Sequence, residues 1–126
     1  IVLAIGGILA LTLDPDSATA GDSVPIGSVG QLDGKGEAFA WVCQSPEANS
    51  RLTEACVVND WIGIQQMEAS GDALEVPDGT KVQVIDIRFG VDVLKKIRIL
   101  EGEHYGMAGW LEADYVRSLR STKADH

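Results

Sequence analysis

The chain has 126 residues, enough for one domain and a short appendage, and with 45% hydrophobic and 23% charged residues it is too apolar for a disordered protein. Nineteen Asp and Glu against ten Lys and Arg leave a net charge of -9, which excludes a general nucleic-acid binder, whose affinity rests on cationic contacts to phosphate, and excludes electrostatic adsorption to an anionic membrane face. Two Cys exclude a four-Cys zinc site and a dense disulfide scaffold.

Residues 1–13, IVLAIGGILALTL, carry no charge. As a helix they rise about 20 Å, short of the ~30 Å hydrocarbon core. The sequence starts without Met, so the run is expected to be the C-terminal part of a longer transmembrane anchor helix. A buried helix is one alternative. An uncleaved secretory signal, with Ala18-Thr19-Ala20 as its small-x-small site, is another. Residues 14–36 are rich in Asp, Ser, Gly and Pro and read as a flexible acidic linker. Asp14, Asp16, Asp22 and Asp33 all precede the first cation, Lys35. Cytoplasmic flanks are usually rich in Lys and Arg, so the folded part is expected on the non-cytoplasmic side.

From residue 37 the pattern changes to short strands. Residues 38–43, AFAWVC, form the first, and residues 61–67, WIGIQQM, read as another. The turn signal Pro77-Asp78-Gly79-Thr80 introduces residues 81–87, where Lys81, Gln83 and Ile85 share one face and Val82 and Val84 the other. Residues 96–101 alternate again, 101–106 read as a hairpin loop and 109–112 as the returning strand. A single helical turn over 113–116 and a last short strand over 117–119 complete the pattern. Strands this closely spaced predict an all-β fold, a small barrel or sandwich. Val82, Val84, Ile97, Ile99, Trp110 and Val116 are the expected core.

Chemistry-bearing residues are few. Cys43 ends the first strand and Cys56 follows a polar stretch, residues 44–55, that would be floppy by itself. A disulfide between them would contribute ~3 kcal/mol through loop entropy, given an oxidising compartment; two separate buried thiols are the alternative. The spacing is not that of a C-x-x-C redox dithiol. His104 and His126 are the only imidazoles and stand apart. No zinc-ligand spacing, haem attachment, nucleophile elbow or phosphate-binding loop is present, so no metal, cofactor or catalytic residue is expected. Glu101, Glu103, Glu112 and Asp114 have the chemistry of an acid–base pair, but in so acidic a chain they read as a solvated face. Trp41, Trp61, Trp110, Tyr105 and Tyr115 either line a ligand groove or fill the core. Arg117, Arg120 and Lys123 make the end of the chain basic, residues 120–126 forming a tail that is either solvated or docks an acidic partner. The residues expected to meet a partner are Trp61, Tyr105, Arg117, Arg120 and Lys123.

The run Gly79-Thr80-Lys81-Val82-Gln83-Val84, then Lys96-Ile97-Arg98-Ile99 and Gly102, then Gly109-Trp110-Leu111 and Asp114-Tyr115-Val116, resembles a bacterial Src-homology-3 (SH3) domain. In that family a G-T-x-V-x-V strand is followed by a K-V-R strand, a glycine hairpin, G-W-V, and a short helical turn that closes the barrel. The resemblance implies an SH3-like barrel over residues 37–119, with Ala40-Trp41-Val42 as first barrel strand and an insertion from about Glu47 to Leu74. The acidic-aromatic ligand motif of eukaryotic members is absent, so polyproline binding is not implied.

Fold alone does not give function. The anchor, the linker and a lone small module imply a non-catalytic accessory subunit. Its extracytoplasmic domain is expected to dock on other subunits of a larger complex in the bacterial inner membrane, such as a respiratory or photosynthetic assembly. The alternative, implied by what many family members do, is a cell-envelope module recognising peptidoglycan or peptide.

Overall fold

The computed structural model describes residues 23–119. The run expected to anchor the chain, residues 1–13, lies outside them, as do Arg120 and Lys123 of the tail. Among the described residues no helix is long and apolar enough to cross a membrane.

Seven strands form one antiparallel sheet that curls into a half-barrel. In sequence they are β1 (Val29–Leu32), β2 (Phe39–Cys43), β3 (Ala73–Pro77), β4 (Lys81–Arg88), β5 (Leu94–Ile99), β6 (Ala108–Glu112) and β7 (Val116–Ser118). Helices α1 (Pro46–Val57) and α2 (Trp61–Ser70) stand between β2 and β3, and one 3-10 turn (Ala113–Tyr115) between β6 and β7. The spatial order is β3-β2-β6-β5-β4-β1-β7. The β4, β5, β6 and 3-10 elements fall where the alternation places them. Val82 and Val84 point inward from β4, and Ile97 and Ile99 from β5. A bulge between Val84 and Asp86 re-phases β4, so that Ile87 returns to the inner face opposite Lys95.

Three expectations are corrected. Residues 61–67 are not a strand but most of α2. Asp60 caps its N-terminus, its Oδ1 accepting from Gly63 N at 3.0 Å, and Gly71 ends it in the left-handed region, φ 87°. The polar stretch after β2 is not floppy. Ser45 Oγ accepts from Ala48 N at 3.0 Å and Pro46 opens α1. The expected linker is structured from its second half onward, because Leu32 and Val24 are buried in the main core and β1 pairs with both β4 and β7.

The main core gathers Leu32, Val42, Val76, Val82, Val84, Ile97, Ile99, Leu111 and Val116 inside the curl. Trp110 is not among them. It sits half-buried on the opposite face of β6 from Leu111. A second, smaller core joins the helices to the outside of β2 and β3. Cys43 and Ala73, paired across the ladder, are small enough to let Ala48 and Leu52 of α1 and Ile64 and Met67 of α2 pack against them. The helical hairpin leaves and rejoins the sheet at one place, where Gln44 N–H donates to Asp72 O at 2.9 Å. Arg51 of α1 pairs with Asp72 at 3.0 Å.

Lys95 faces the main core with only 3% of its surface exposed. Its Nζ donates to Val24 O at 2.7 Å, so it fixes the chain where the described fold begins. Burial holds its pKa below the usual lysine range.

Candidate functional site

A cavity of about 280 Å³ opens between α1 and the corner where β6 runs into the 3-10 turn. Trp41 forms one wall from the outer face of β2, its ring edge-on to Phe39 at 5.2 Å between centroids. Leu52 and Cys56 come from α1, Leu111 and Glu112 from β6, and Tyr115 from the 3-10 turn. Asn49, Thr53 and Cys56 repeat at the spacing that puts residues on one helical face. The cavity is largely apolar, with an aromatic ring on two sides and few polar groups, the usual make-up of a small ligand slot.

Electrostatics single out Glu112. Burial raises its pKa, and the negative charges of Asp92 and Asp114 add to the effect. Tyr115 is likewise raised, first by burial and then by Glu112 and Asp114, with Lys35 opposing. The Lys35 ammonium stands 5.6 Å from the centre of the Tyr115 ring and 3.5 Å from Asp114. The slot thus presents a carboxyl that holds its proton more tightly than usual beside a phenol that does the same. Groups of this kind can orient an apolar or aromatic moiety by hydrogen bonding. Among the described residues no cluster of three or more His, Cys, Asp or Glu could hold a metal ion.

The cysteines do not form the expected bridge. Both are free thiols, Cys43 buried in the second core and Cys56 exposed at the cavity. Once α1 is an ordered helix packed through Leu52, the stretch between them needs no tether. Burial, with help from Asp72, pushes the Cys43 thiol up to about 12, which leaves it unreactive.

Of the residues expected to meet a partner, Trp61 opens α2 and is 61% exposed, and Tyr105 is exposed in the β5–β6 hairpin. Neither lines the cavity. Arg117 is engaged within the fold. Its Nη1 lies 3.2 Å from Asp33 and 3.3 Å from Asp78, and its Nε donates to Gln31 Oε1 at 3.0 Å. Asp78 also accepts from Gly34 N at 2.8 Å, and this bond, more than Arg117, holds its pKa below the usual range. Arg117 therefore closes β7 onto the start of the β1–β2 connection and is not a free docking cation.

A second apolar feature adjoins the cavity. Val57, Val58, Trp61 and Ile62 follow one another around the α1–α2 corner, all exposed, Ile62 by 69%. Val57 and Val58 border a shallow depression of about 560 Å³ that shares Thr53 and Val57 with the cavity. The slot and this depression therefore meet at Val57.

No protein-family model, curated protein or solved structure matches this chain.

Proposed function

We propose that the chain is a non-catalytic, membrane-anchored accessory subunit of the bacterial inner membrane, whose half-barrel is an SH3-like domain that docks on a larger membrane protein complex from the extracytoplasmic side. The carrying observation is the run of exposed Val57, Val58, Trp61 and Ile62. Four exposed apolar side chains in two pairs on either side of Asn59-Asp60 are unusual on a domain that stands alone, and a tryptophan among them is the residue type that most often dominates an interface. The SH3-like reading is supported by the helical turn between β6 and β7 and by the return of β7 to the edge beside β1. In this reading the first barrel strand moves from the expected Ala40-Trp41-Val42 to Val29–Leu32, which pairs with β7, and the insertion widens from the expected Glu47 to Leu74 to take in all of β2, α1, α2 and β3.

The test is native electrophoresis of membranes carrying the full chain or the Trp61→Asp, Ile62→Asp variant. The reading requires the wild type to migrate with a large complex and the variant, equally well folded, to leave it. A variant that stays in the complex refutes the reading.

The second reading is an envelope-binding module, and the aromatic slot with Glu112 favours it. Purified sacculi or short peptides would then quench Trp41 fluorescence, and Trp41→Ala would abolish retention.

A further inference from the structure

The β4–β5 turn is another place where apolar side chains are exposed, as Tyr105 and Met107 are in the β5–β6 hairpin. The ladder ends at the Arg88–Leu94 pair, and the chain beyond it reads Phe89-Gly90-Val91-Asp92-Val93. Phe89 is 78% exposed and Val91 104%, more than in an extended reference chain. The turn stands out beyond the ladder and, on one side, walls a depression of about 260 Å³ with Pro46, Glu47, Asn49 and Ser50 at the start of α1. Its charges, Arg88 and Asp92, cancel.

The described chain begins beside this tip. Val24 is held by Lys95, whose ladder partner Ile87 lies one residue from the last pair before the turn. Only residues 14–23 separate Val24 from the charge-free run 1–13. Ten residues reach at most about 35 Å. The tip therefore stays within a short reach of wherever that run sits.

We infer that Phe89 and Val91 insert into the lipid bilayer surface beside the anchor, making the β4–β5 turn a second membrane contact. This rests on the anchor reading above. A turn with two well-exposed apolar side chains and no net charge of its own matches the boundary between headgroups and acyl chains, where apolar groups sink about 5–10 Å. The attraction is independent of anionic lipid, as the chain's charge of -9 requires. The contact is weak alone and becomes effective because the anchor raises the local concentration of lipid around the tip. It also sets the direction in which the half-barrel stands on the membrane.

The experiment uses the full chain reconstituted in phosphatidylcholine vesicles whose acyl chains carry a bromine quencher. An environment-sensitive fluorescent amino acid replaces Val91, or, as a control, Glu103. Position 103 lies in the hairpin at the opposite end of β5, roughly 20 Å away along the strand. The expected result is at least about twofold quenching at 91, none at 103, and no loss when salt is raised. Flotation with the vesicles but equal emission at both positions overturns the inference and leaves the anchor standing. A blue shift at 91 that grows with the chain-to-lipid ratio, without quenching, assigns the tip to a second copy of the chain and also overturns it. A chain that does not float with the vesicles overturns the anchor reading and this inference together.

Discussion

Replacing Gly109 by Ala tests how β6 meets β2. Gly109 sits in β6 directly beneath the end of β2, next to the single register pair, Cys43 with Trp110, that joins the two strands. A Cβ at this position would lie 2.6 Å from Val42 Cγ1 and 2.7 Å from Cys43 O. The second contact is backbone, fixed in the β2–β3 ladder, and no rotamer change relieves it. Gly109 is not in the left-handed region, so the backbone itself accepts Ala. In open space the change would stabilise by roughly 0.4–1 kcal/mol through the unfolded state. Here the strands must separate, and overpacking of this kind costs about 1–3 kcal/mol. We expect a net loss of about 1–2 kcal/mol, at 4–8 °C per kcal/mol for a domain of this size. Gly90 is the control, because its Cβ would meet nothing nearer than Asp92 O at 3.8 Å. Urea unfolding followed by tryptophan fluorescence reads both. If Gly109→Ala is neutral or stabilising, or if the two substitutions shift the midpoint equally, the close approach of β2 to β6 is wrong.

Two further outcomes follow from the site. In native protein one thiol, Cys56, is expected to react with iodoacetamide at neutral pH, and Cys43 only after unfolding; mass spectrometry showing two fast additions, or none without reductant, contradicts this. Glu112 has a folded pKa above its unfolded value, so the folded state binds its proton more tightly and loses stability as pH rises from the unfolded value through the folded one. Glu112→Gln is therefore expected to raise the unfolding midpoint at pH 7 and to leave it unchanged near pH 3, where the carboxyl is protonated in both states; an equal gain at both pH values assigns the effect to something other than charge.

The C-terminal half of the fold was legible because each strand is half-buried and alternates. Val82 and Val84, then Ile97 and Ile99, leave a period of two that only a strand satisfies. The segment WIGIQQM was not legible in this way. Seven residues with an apolar majority fit a strand and a helix equally well. The deciding signals lie outside the run, in the Asp60 cap and in Gly71. The same holds for α1, where Ser45-Pro46-Glu47 is a helix start and Ala48, Leu52 and Ala55 mark its inner face. β1 was hidden because VGQL is short and sits among Gly, Ser and Asp, and its place is set by partners far along the chain. Trp41 and Tyr115 were singled out as groove candidates and do meet at the cavity, whereas the α1 wall opposite them could not be read while α1 was taken as a loop. Arg117 was misread because its partners, Asp33 and Asp78, are distant in sequence.

The α1–α2 hairpin departs and returns a single hydrogen bond apart, at Gln44 and Asp72. An excursion closed in this way is an interchangeable cassette. Its length enters the stability of the sheet only through loop closure, which grows slowly with the number of residues, and the register of β2 with β3 does not depend on what lies between them. Drift in the helices can therefore redraw the exposed corner at Trp61 while the seven strands stay as they are. The socket of Cys43 and Ala73 sets the one condition, that whatever replaces the hairpin must bring a small apolar face to cover it.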